Sequence, residues 1–491
     1  MTRLLPTALA GLGLLLSAAP AAAQSLTPGM ERQLHAWYQE TSQATRGGIW
    51  GIAVGTMDGH VLWSVAPEAT MIPASTAKVF TTGFARSRVG PDARTLTRVV
   101  TRGHIDPASG TFMGAWHLDL GGDPTLERAG RGGPMLRDLA AQLAAHGVRR
   151  LTGPLAVTSP HGLTTARYPG TWSERYLGKL YAPPVGPVTL HENIISVSIR
   201  PGRPGQPPVL SYVLPSGIES LIDNRAVTVA GRSNRLRFAA TPDGRWELRG
   251  SIGAGSRGAG FSDVAHDPAL VLEAAWGAAL AEAGIVWDRS SPAVPVPAGS
   301  RAAGVLALVA SPPFDSVAME VNRRSVNIGA ELLLEWGAGN RTSGPDLLTA
   351  HVREVVGPFA RVQLVDGSGL SELNRVSPLT MMLYLARLPQ LPQGRNFPLL
   401  LPANGTGTLR HLRGGLGSGV VHAKTGSLDN VATLAGYLGR PDGVLVVSLM
   451  YNGPRTGAAR RAQWELFRIL GADGVNLPSA LVTQMGGADT P

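Results

Sequence analysis

Ser75 and Lys78 are the two side chains whose types and spacing best suit nucleophilic chemistry. They lie three residues apart in the run Ser75-Thr-Ala-Lys78, and residues three apart on a helix share one face. A serine hydroxyl is a weak nucleophile until a neighbouring base takes its proton. A lysine amine can act as that base when burial and nearby cations lower its pKa, whereas arginine cannot release its proton. The pattern predicts a serine nucleophile and a lysine base at the start of a helix.

Lysine is rare in this chain, which draws attention to the lysines that lie in motifs. Lys and Arg together number 44, and only Lys78, Lys179 and Lys424 are lysines. Lys424 begins the run Lys424-Thr-Gly-Ser427, which continues a strand-like segment. Glycine in a strand lets a substrate backbone approach closely, and an exposed edge strand can accept an extended peptide. We therefore expect a peptide-binding edge at Lys424.

Ser325 and Asn327 supply a third element, Ser325-Val-Asn327. This element carries almost no information alone, because such matches are common by chance. The order of the three elements along the chain, a helix start, a loop before a helix and an edge strand, argues for one site. The alternative interpretation makes Lys78 and Lys424 surface residues and Ser75 a helix cap.

The two ends of the chain are predicted to form one antiparallel sheet with helices on it. Short β-type runs indicate five strands, at 48–54, 60–65, 419–423, 432–438 and 444–451. Helical spacing at 30–43 and 458–470 indicates two helices that would cover one face of this sheet. Further helices are predicted at 75–86, 328–336 and 377–388, and within a β-rich middle region at 134–146 and 268–283.

Composition excludes several classes of function. The formal charge is +10 with no cysteine, so disulfides, thiolate zinc sites and cysteine nucleophiles are ruled out. The arginines are scattered singly, so we expect no nucleic-acid partner. His191-Glu192 begins like a zinc-protease helix but lacks the second histidine, and a turn into a strand is the better interpretation. We expect no metal and no cofactor.

The first 23 residues have the pattern of a secretory signal peptide. Arg3 precedes an almost wholly apolar stretch from Leu4 to Leu16, and three alanines end at Ala23. The apolar stretch is short for a membrane span, and no later segment is long and apolar enough for one. We expect cleavage after Ala23 and a periplasmic product.

Together with further segments, the three elements resemble the class C low-molecular-mass penicillin-binding proteins, the D-alanyl-D-alanine carboxypeptidase/endopeptidase family. The resemblance covers roughly residues 30 to 470, and its further segments are Leu120-Gly-Gly-Asp-Pro-Thr-Leu126, Asp366-Gly-Ser-Gly-Leu-Ser371, Leu401-Pro-Ala-Asn-Gly405 and Leu434-Ala-Gly-Tyr437. Spacing is its most telling feature, since 250 residues separate Ser75 from Ser325 and 99 separate Ser325 from Lys424. Members of the family carry two nested domains in the first gap.

The resemblance implies an α+β fold of the penicillin-binding-protein and serine β-lactamase type, with a five-stranded antiparallel sheet, helices and two nested β-rich domains. The predicted divisions are a signal peptide at 1–23, a catalytic domain at 24–98 and 298–475, an inserted domain II at 99–165 and 255–297, a nested domain III at 166–254, and a tail at 476–491. Because the motifs lie outside 99–297, we expect the acylation site to be complete without the inserted region.

The resemblance also implies a role for each motif residue. Ser75 would form the acyl-enzyme, Lys78 would be its base, and Ser325 would pass the proton towards the leaving amine. The substrate-binding residues would be Asn327 on the acyl side, Lys424 and Thr425 at the terminal carboxylate, and Gly426 and Ser427 along the edge strand, with backbone N–H groups of Ser75 and Ser427 at the oxyanion. Whether Lys78 or Ser325 is the acid in each half-reaction stays open.

The implied activity is that of a serine-type D-Ala-D-Ala carboxypeptidase and endopeptidase. Its partners would be peptidoglycan stem peptides, their cross-links and β-lactam antibiotics, with a loose association with the membrane surface or cell wall left open. Two alternatives are a hydrolase of β-lactams or esters using the same site, and a non-catalytic peptidoglycan-binding protein.

The role of Ser75 gives the first prediction. Because only Ser75 has a lysine one turn away at a helix start, benzylpenicillin should acylate Ser75 alone among the serines. Mass spectrometry with peptide mapping locates the adduct. An adduct on Ser325 or Ser368 would contradict the assignment of the nucleophile.

Overall fold

The computed structural model describes residues 24–128, 132–161, 164–292, 304–339, 343–412, 416–471 and 475–477. The predicted signal peptide at 1–23 lies outside the described residues, as does all of the predicted tail at 476–491 except 476–477. No helix within the described part of the chain is both long and apolar enough to span a membrane.

Within the described residues the α-helices are α1 Pro28–Ala44, α2 Lys78–Val89, α3 Leu136–Ala145, α4 Pro268–Glu282, α5 Phe314–Arg324, α6 Asn327–Ala338, α7 Gly344–Val356, α8 Pro378–Arg387 and α9 Thr456–Ile469. Local chemistry explains where they begin. Thr27 caps α1 by accepting from the N–H of Met30 at 3.2 Å, and Ser377 caps α8 by accepting from the N–H of Thr380, each just before a proline in the first turn.

The strands of the described residues are β1 Ile49–Thr56, β2 Val61–Val65, β3 Leu96–Ile105, β4 Phe112–Leu120, β5 Arg150–Thr152, β6 Val157–Thr158, β7 Ile194–Arg200, β8 Val209–Leu214, β9 Ile222–Asn224, β10 Val227–Val229, β11 Arg237–Ala240, β12 Trp246–Arg249, β13 Ser251–Gly253, β14 Ala259–Val264, β15 Val286–Asp288, β16 Gly304–Ala310, β17 Val362–Gln363, β18 Arg375–Val376, β19 Val421–Leu428, β20 Val431–Arg440 and β21 Gly443–Asn452. The five strands predicted from the chain ends are β1, β2, β19, β20 and β21.

These five strands form one antiparallel sheet in the order β19-β20-β21-β1-β2. The first and last segments of the chain meet at its centre, where Ile49 pairs with Asn452 and Thr56 with Leu445. The prediction of a sheet built from both chain ends is confirmed. β19, which carries Lys424, is an edge strand, as the sequence predicted.

Both faces of this sheet are covered, and alternate residues of β21 show it. Leu445 and Leu449 belong to a core that includes Leu34 of α1 and Phe467 of α9. Successive side chains of a strand point to opposite faces, and Val446 belongs to a second core with residues of α2, α5, α6, α7 and α8. The prediction that the first and last helices share one face is therefore confirmed.

The inserted region leaves and returns through a pair of adjacent strands. β3 leads away after α2, and β16 returns beside it, with Thr97 paired to Val309. Between them lie α3, α4 and small sheets, and their buried apolar side chains form one cluster that includes Trp246 and Trp276. The two predicted helices of this region are confirmed. The division of the region into a domain II and a domain III stays a prediction, since a single cluster contains side chains of both.

Packing of α9 on the sheet generates a stability prediction. Phe467 is fully buried, so Phe467→Ala should lower the free energy of unfolding by about 3–5 kcal/mol, as expected for a large side chain lost from a core. Urea unfolding followed by circular dichroism measures it. Glu465→Ala on the exposed face of the same helix is the matched control and should change stability by less than about 0.5 kcal/mol. Equal effects of the two substitutions would contradict this account of the core.

Candidate active site

Ser75 lies in a tight 3₁₀ turn, Ala74–Ala77, that precedes α2, and not in the first turn of an α-helix. Ala74 has φ +47°, a left-handed conformation that non-glycine residues rarely adopt. The hydroxyls of Thr76 and Thr433 both donate to the carbonyl of Pro73 at 2.6 Å. These bonds tie the turn to β20 and hold the half-buried Ser75 in place.

Lys78 is fully buried and its Nζ has three polar neighbours. Nζ lies 3.1 Å from Ser75 Oγ, 2.6 Å from Asn327 Oδ1 and 2.6 Å from the backbone carbonyl oxygen of Ser368. The two carbonyl oxygens can only accept hydrogen bonds. A neutral amine would therefore use its two N–H groups on them, and its lone pair would face the hydroxyl of Ser75. This is the arrangement that a base needs.

Burial lowers the pKa of Lys78 to about 7, because an ammonium is costly to desolvate. The negative charges of Asp366 and Glu331 oppose this shift. Glu331 is itself buried, and burial, followed by the nearby Asp366, raises its pKa to about 8. Its carboxyl group accepts from the N–H groups of Gly367 and Ser368. The residue therefore fixes the loop whose Ser368 carbonyl contacts Lys78.

Ser325 and Lys424 form a second polar contact. Ser325 ends α5 with φ +62°, a left-handed conformation at the helix C-terminus. Its Oγ accepts from Lys424 Nζ at 2.9 Å, and the same Nζ donates to the carbonyl of Thr425 at 2.7 Å. Lys424 is fully buried, and burial, with added repulsion from Lys78 and Arg460, lowers its pKa.

β19 lies directly against the turn of Ser75, and Gly426 permits this approach. A Cβ atom at Gly426 would lie 2.9 Å from the Ser75 backbone nitrogen, 2.7 Å from the Pro73 carbonyl oxygen and 2.2 Å from Thr433 Oγ1. Any side chain there would push the strand and the turn apart. Ser427 follows on the exposed end of the strand.

The structure thus brings together all the predicted site residues: Ser75, Lys78, Ser325, Asn327, Lys424, Thr425, Gly426 and Ser427. Among the described residues no cluster of histidine, aspartate and glutamate has the form of a metal site. Lys179, the third lysine, is exposed, and no described hydrogen bond joins it to this site. His191 and Glu192 lie in the short 3₁₀ helix His191–Asn193 before β7, so the interpretation as a turn into a strand is confirmed.

The inserted region contributes directly to the site, so the expectation that the site is complete without it is wrong. Asn327 Nδ2 donates to the backbone carbonyl of Tyr181 at 2.8 Å, and Trp172 Nε1 donates to Asp366 Oδ2 at 3.1 Å. Trp172 also shares a buried apolar cluster with Ile328 of α6. The reason is that α6 has one face towards Lys78 and another towards the inserted segment.

Sequence reasoning missed several groups that surround the motif residues. The carbonyls of Ser368 and Tyr181 are backbone atoms, which any residue type supplies, so no side-chain pattern marks them. Glu331 and Arg460 are charged residues that a sequence pattern assigns to the surface by default. The run Asp366-Gly-Ser-Gly-Leu-Ser371 was the available signal, since its acidic and small residues indicate a constrained loop.

Most of the chain is similar to known proteins. The D-Ala-D-Ala carboxypeptidase 3 (S13) family matches residues 32–470. The D-alanyl-D-alanine carboxypeptidase of Actinomadura sp. (strain R39) is 28% identical over 433 residues, which cover 84% of this chain and 79% of that protein.

Solved structures show the same fold. The crystal structure of penicillin binding protein 4 (dacB) from Haemophilus influenzae matches with a TM-score of 0.68 at 22% identity, covering 87% of this chain and 99% of that one. Its complex with a novel β-lactam matches with a TM-score of 0.65 at 21% identity, covering 89% and 99%. The predicted α+β fold of the penicillin-binding-protein type is confirmed.

The lowered pKa of Lys78 generates a prediction about pH. Protonation below a pKa of about 7 removes the lone pair, so acylation of Ser75 by a penicillin should slow about tenfold for each pH unit below 7 and level off just above it. Stopped-flow measurement of adduct formation from pH 5 to 8, with circular dichroism to confirm folding, checks it. A rate independent of pH over this range would contradict a neutral Lys78 as the base.

Proposed function

Because the chain belongs to the D-Ala-D-Ala carboxypeptidase 3 (S13) family and is a serine-type D-Ala-D-Ala carboxypeptidase, we propose that Ser75 performs its acyl transfer with Lys78 as the base. One observation carries this assignment. Lys78 Nζ lies 3.1 Å from Ser75 Oγ, and its other two polar neighbours, both at 2.6 Å, are carbonyl oxygens that can only accept. Among the described residues Ser325 also has a lysine amine beside it, Lys424 Nζ at 2.9 Å, but that amine has one further carbonyl neighbour and not two.

In the acylation step, Ser75 Oγ attacks the carbonyl carbon of the penultimate D-alanine as its proton passes to Lys78 Nζ. A tetrahedral intermediate forms with negative charge on the former carbonyl oxygen. The backbone N–H groups of Ser75 and Ser427 would donate to this oxyanion. When the C–N bond breaks, the leaving amine takes a proton through Lys78 or Ser325. Water then attacks the acyl-enzyme and releases Ser75.

Substrate recognition would use the polar groups along β19. Lys424 Nζ donates to Ser325 Oγ, and in its protonated form it would, with Thr425, bind the terminal carboxylate of the peptide. A cavity of about 260 Å³ adjoins Ser325 and Asn327, with Leu180 and Tyr181 of the inserted region on its other side. Its position suits the acyl side of a stem peptide, where Asn327 would hold an amide.

We extend the proposal to the cross-links of peptidoglycan. The acyl part of a cross-link also ends in a D-alanyl carbonyl, so the acyl-enzyme at Ser75 would be the same and only the leaving amine would differ. β-Lactams would acylate Ser75 in place of the peptide, as the β-lactam complex of the Haemophilus influenzae protein supports. These substrates and the signal-peptide pattern at 1–23 support a periplasmic location.

The inserted region is proposed to comprise domain II, at 99–165 and 255–297, and domain III, at 166–254. Part of the latter would complete the active site, because Trp172 and Tyr181 belong to it and bond to Asp366 and Asn327.

The two alternatives differ from this proposal in measurable ways. Rapid turnover of benzylpenicillin, with little release of D-alanine from peptides, would favour a β-lactam or ester hydrolase. Absence of both labelling and release would favour a non-catalytic peptidoglycan-binding protein. The catalytic role of Lys78 distinguishes an enzyme from a non-catalytic binding protein and can be tested by substitution.

Replacement of Lys78 tests the proposal. Lys78→Arg keeps a positive charge of similar length but cannot accept a proton at neutral pH. Release of D-alanine from a soluble peptide ending in D-Ala-D-Ala should fall by at least about 10²-fold. Lys179→Arg makes the same change at the exposed third lysine and should leave the rate within about twofold. Near-normal activity of a folded Lys78→Arg protein would exclude Lys78 as the base.

A further inference from the structure

Arg460 is a half-buried cation that the proposed mechanism does not use. It lies on α9, and burial lowers its pKa to about 10, so the guanidinium stays protonated at neutral pH. Among the described contacts its partners are neutral oxygens and the ring of Trp464, whose centroid lies 5.6 Å from Cζ, and no carboxylate. Burying an unpaired charge is unfavourable unless hydrogen bonds compensate for it. Three of the compensating hydrogen bonds lead to β19 and β20 beside the turn of Ser75, which suggests a role for Arg460 at the site.

The guanidinium bridges the ends of two strands. Nη1 donates to the carbonyl of Thr433 on β20 at 2.6 Å. Nη2 donates to the carbonyl of Gly426 on β19 at 2.5 Å and to Ser427 Oγ at 2.9 Å. Nη1 also donates to Gln463 Oε1, one helical turn along α9, at 2.8 Å. Arg460 thus holds the carbonyl oxygen of Gly426 and the side chain of Ser427 in place.

The Gly426 carbonyl belongs to the same peptide group as the N–H of Ser427. In a planar trans peptide the C=O and N–H point in opposite directions. With the carbonyl directed at Arg460, the N–H is directed to the other side of β19. Gly426 approaches the backbone nitrogen of Ser75 closely, so the turn of Ser75 lies beside this strand. A cation on the carbonyl also polarises the peptide, which makes its N–H a stronger donor.

We infer that Arg460 is a positioning residue that orients and polarises the Gly426–Ser427 peptide as an oxyanion donor. This inference rests on the proposed function, because it needs the tetrahedral intermediate at Ser75. Arg460 touches no reacting atom and acts through the N–H of Ser427. Its influence is therefore greatest when negative charge has developed on the oxyanion and small when substrate first binds.

The test replaces Arg460 by methionine and measures kcat and KM for D-alanine release. Loss of one oxyanion donor costs about 10²–10³-fold in kcat, and a weakened donor should cost less. For Arg460→Met we expect kcat to fall at least about tenfold while KM changes by less than about threefold. Arg461→Met is the matched control, because Arg461 is the exposed neighbour on the same helix, and it should leave both constants unchanged.

A boronic acid analogue of a D-alanyl peptide supplies a second readout, since its tetrahedral adduct with a serine mimics the oxyanion. Its inhibition constant should rise in Arg460→Met by the same factor by which kcat/KM falls. A merely structural role for Arg460 would raise KM or affect the two arginine variants alike. Either result, or an unchanged boronate affinity, would overturn the inference.

Arg460→Lys keeps the inference testable if the methionine variant does not fold. A lysine ammonium retains the charge but lacks the planar fork that reaches two carbonyls at once. The kcat and the boronate affinity of Arg460→Lys should therefore lie between those of the wild type and those expected for Arg460→Met. Wild-type values in a folded Arg460→Lys protein would refute the inference. Failure of the unmodified enzyme to release D-alanine or to be labelled at Ser75 would instead refute the proposed function.

Discussion

The desolvation of one amine is the constraint on which the rest of the site depends. Lys78 is useful as a base only while water is kept away from its amine. The groups around it must also accept hydrogen bonds from its N–H groups and leave its lone pair free. The fold meets both conditions by surrounding Nζ with the amide oxygen of Asn327 and the carbonyl of Ser368. Asp366 and Glu331 lie near enough to oppose the shift in pKa. The high pKa of Glu331 limits this opposition, because a protonated carboxyl carries no charge.

Several parts of the molecule meet at this amine. α2 carries Lys78, α6 carries Asn327, the loop before β18 carries Ser368, and the inserted segment bonds to Asn327 through Tyr181. Each element contributes a contact that the others cannot replace. The core that joins α2, α5, α6, α7 and α8 to the sheet therefore sets the chemistry as well as the stability. A shift of α6 would move both an acceptor of Lys78 and the contact with the inserted region.

The sequence was most informative where chemistry requires a particular side chain. Ser75, Lys78 and Lys424 could be found because a nucleophile, its base and a carboxylate-binding cation need particular side chains, and lysine is rare in this chain. Strands and helices at both chain ends followed from their periodicity. The carbonyls of Ser368 and Tyr181 could not be found, because backbone groups belong to every residue. The 3₁₀ turn at Ser75 also escaped prediction, since it depends on contacts with Thr433, far along the chain.

The central pairing of β1 with β21 has a consequence for how the enzyme is made. Thr76 and Thr433 lie side by side although 357 residues separate them, and Trp37 bonds to a carbonyl 425 residues later. Contacts of such long range form slowly, because a large loop must close first. The nucleophile emerges early during synthesis, yet the strands that complete its surroundings come last. A partly synthesised chain therefore has Ser75 without an assembled site, and activity begins only once the final strands have joined the sheet.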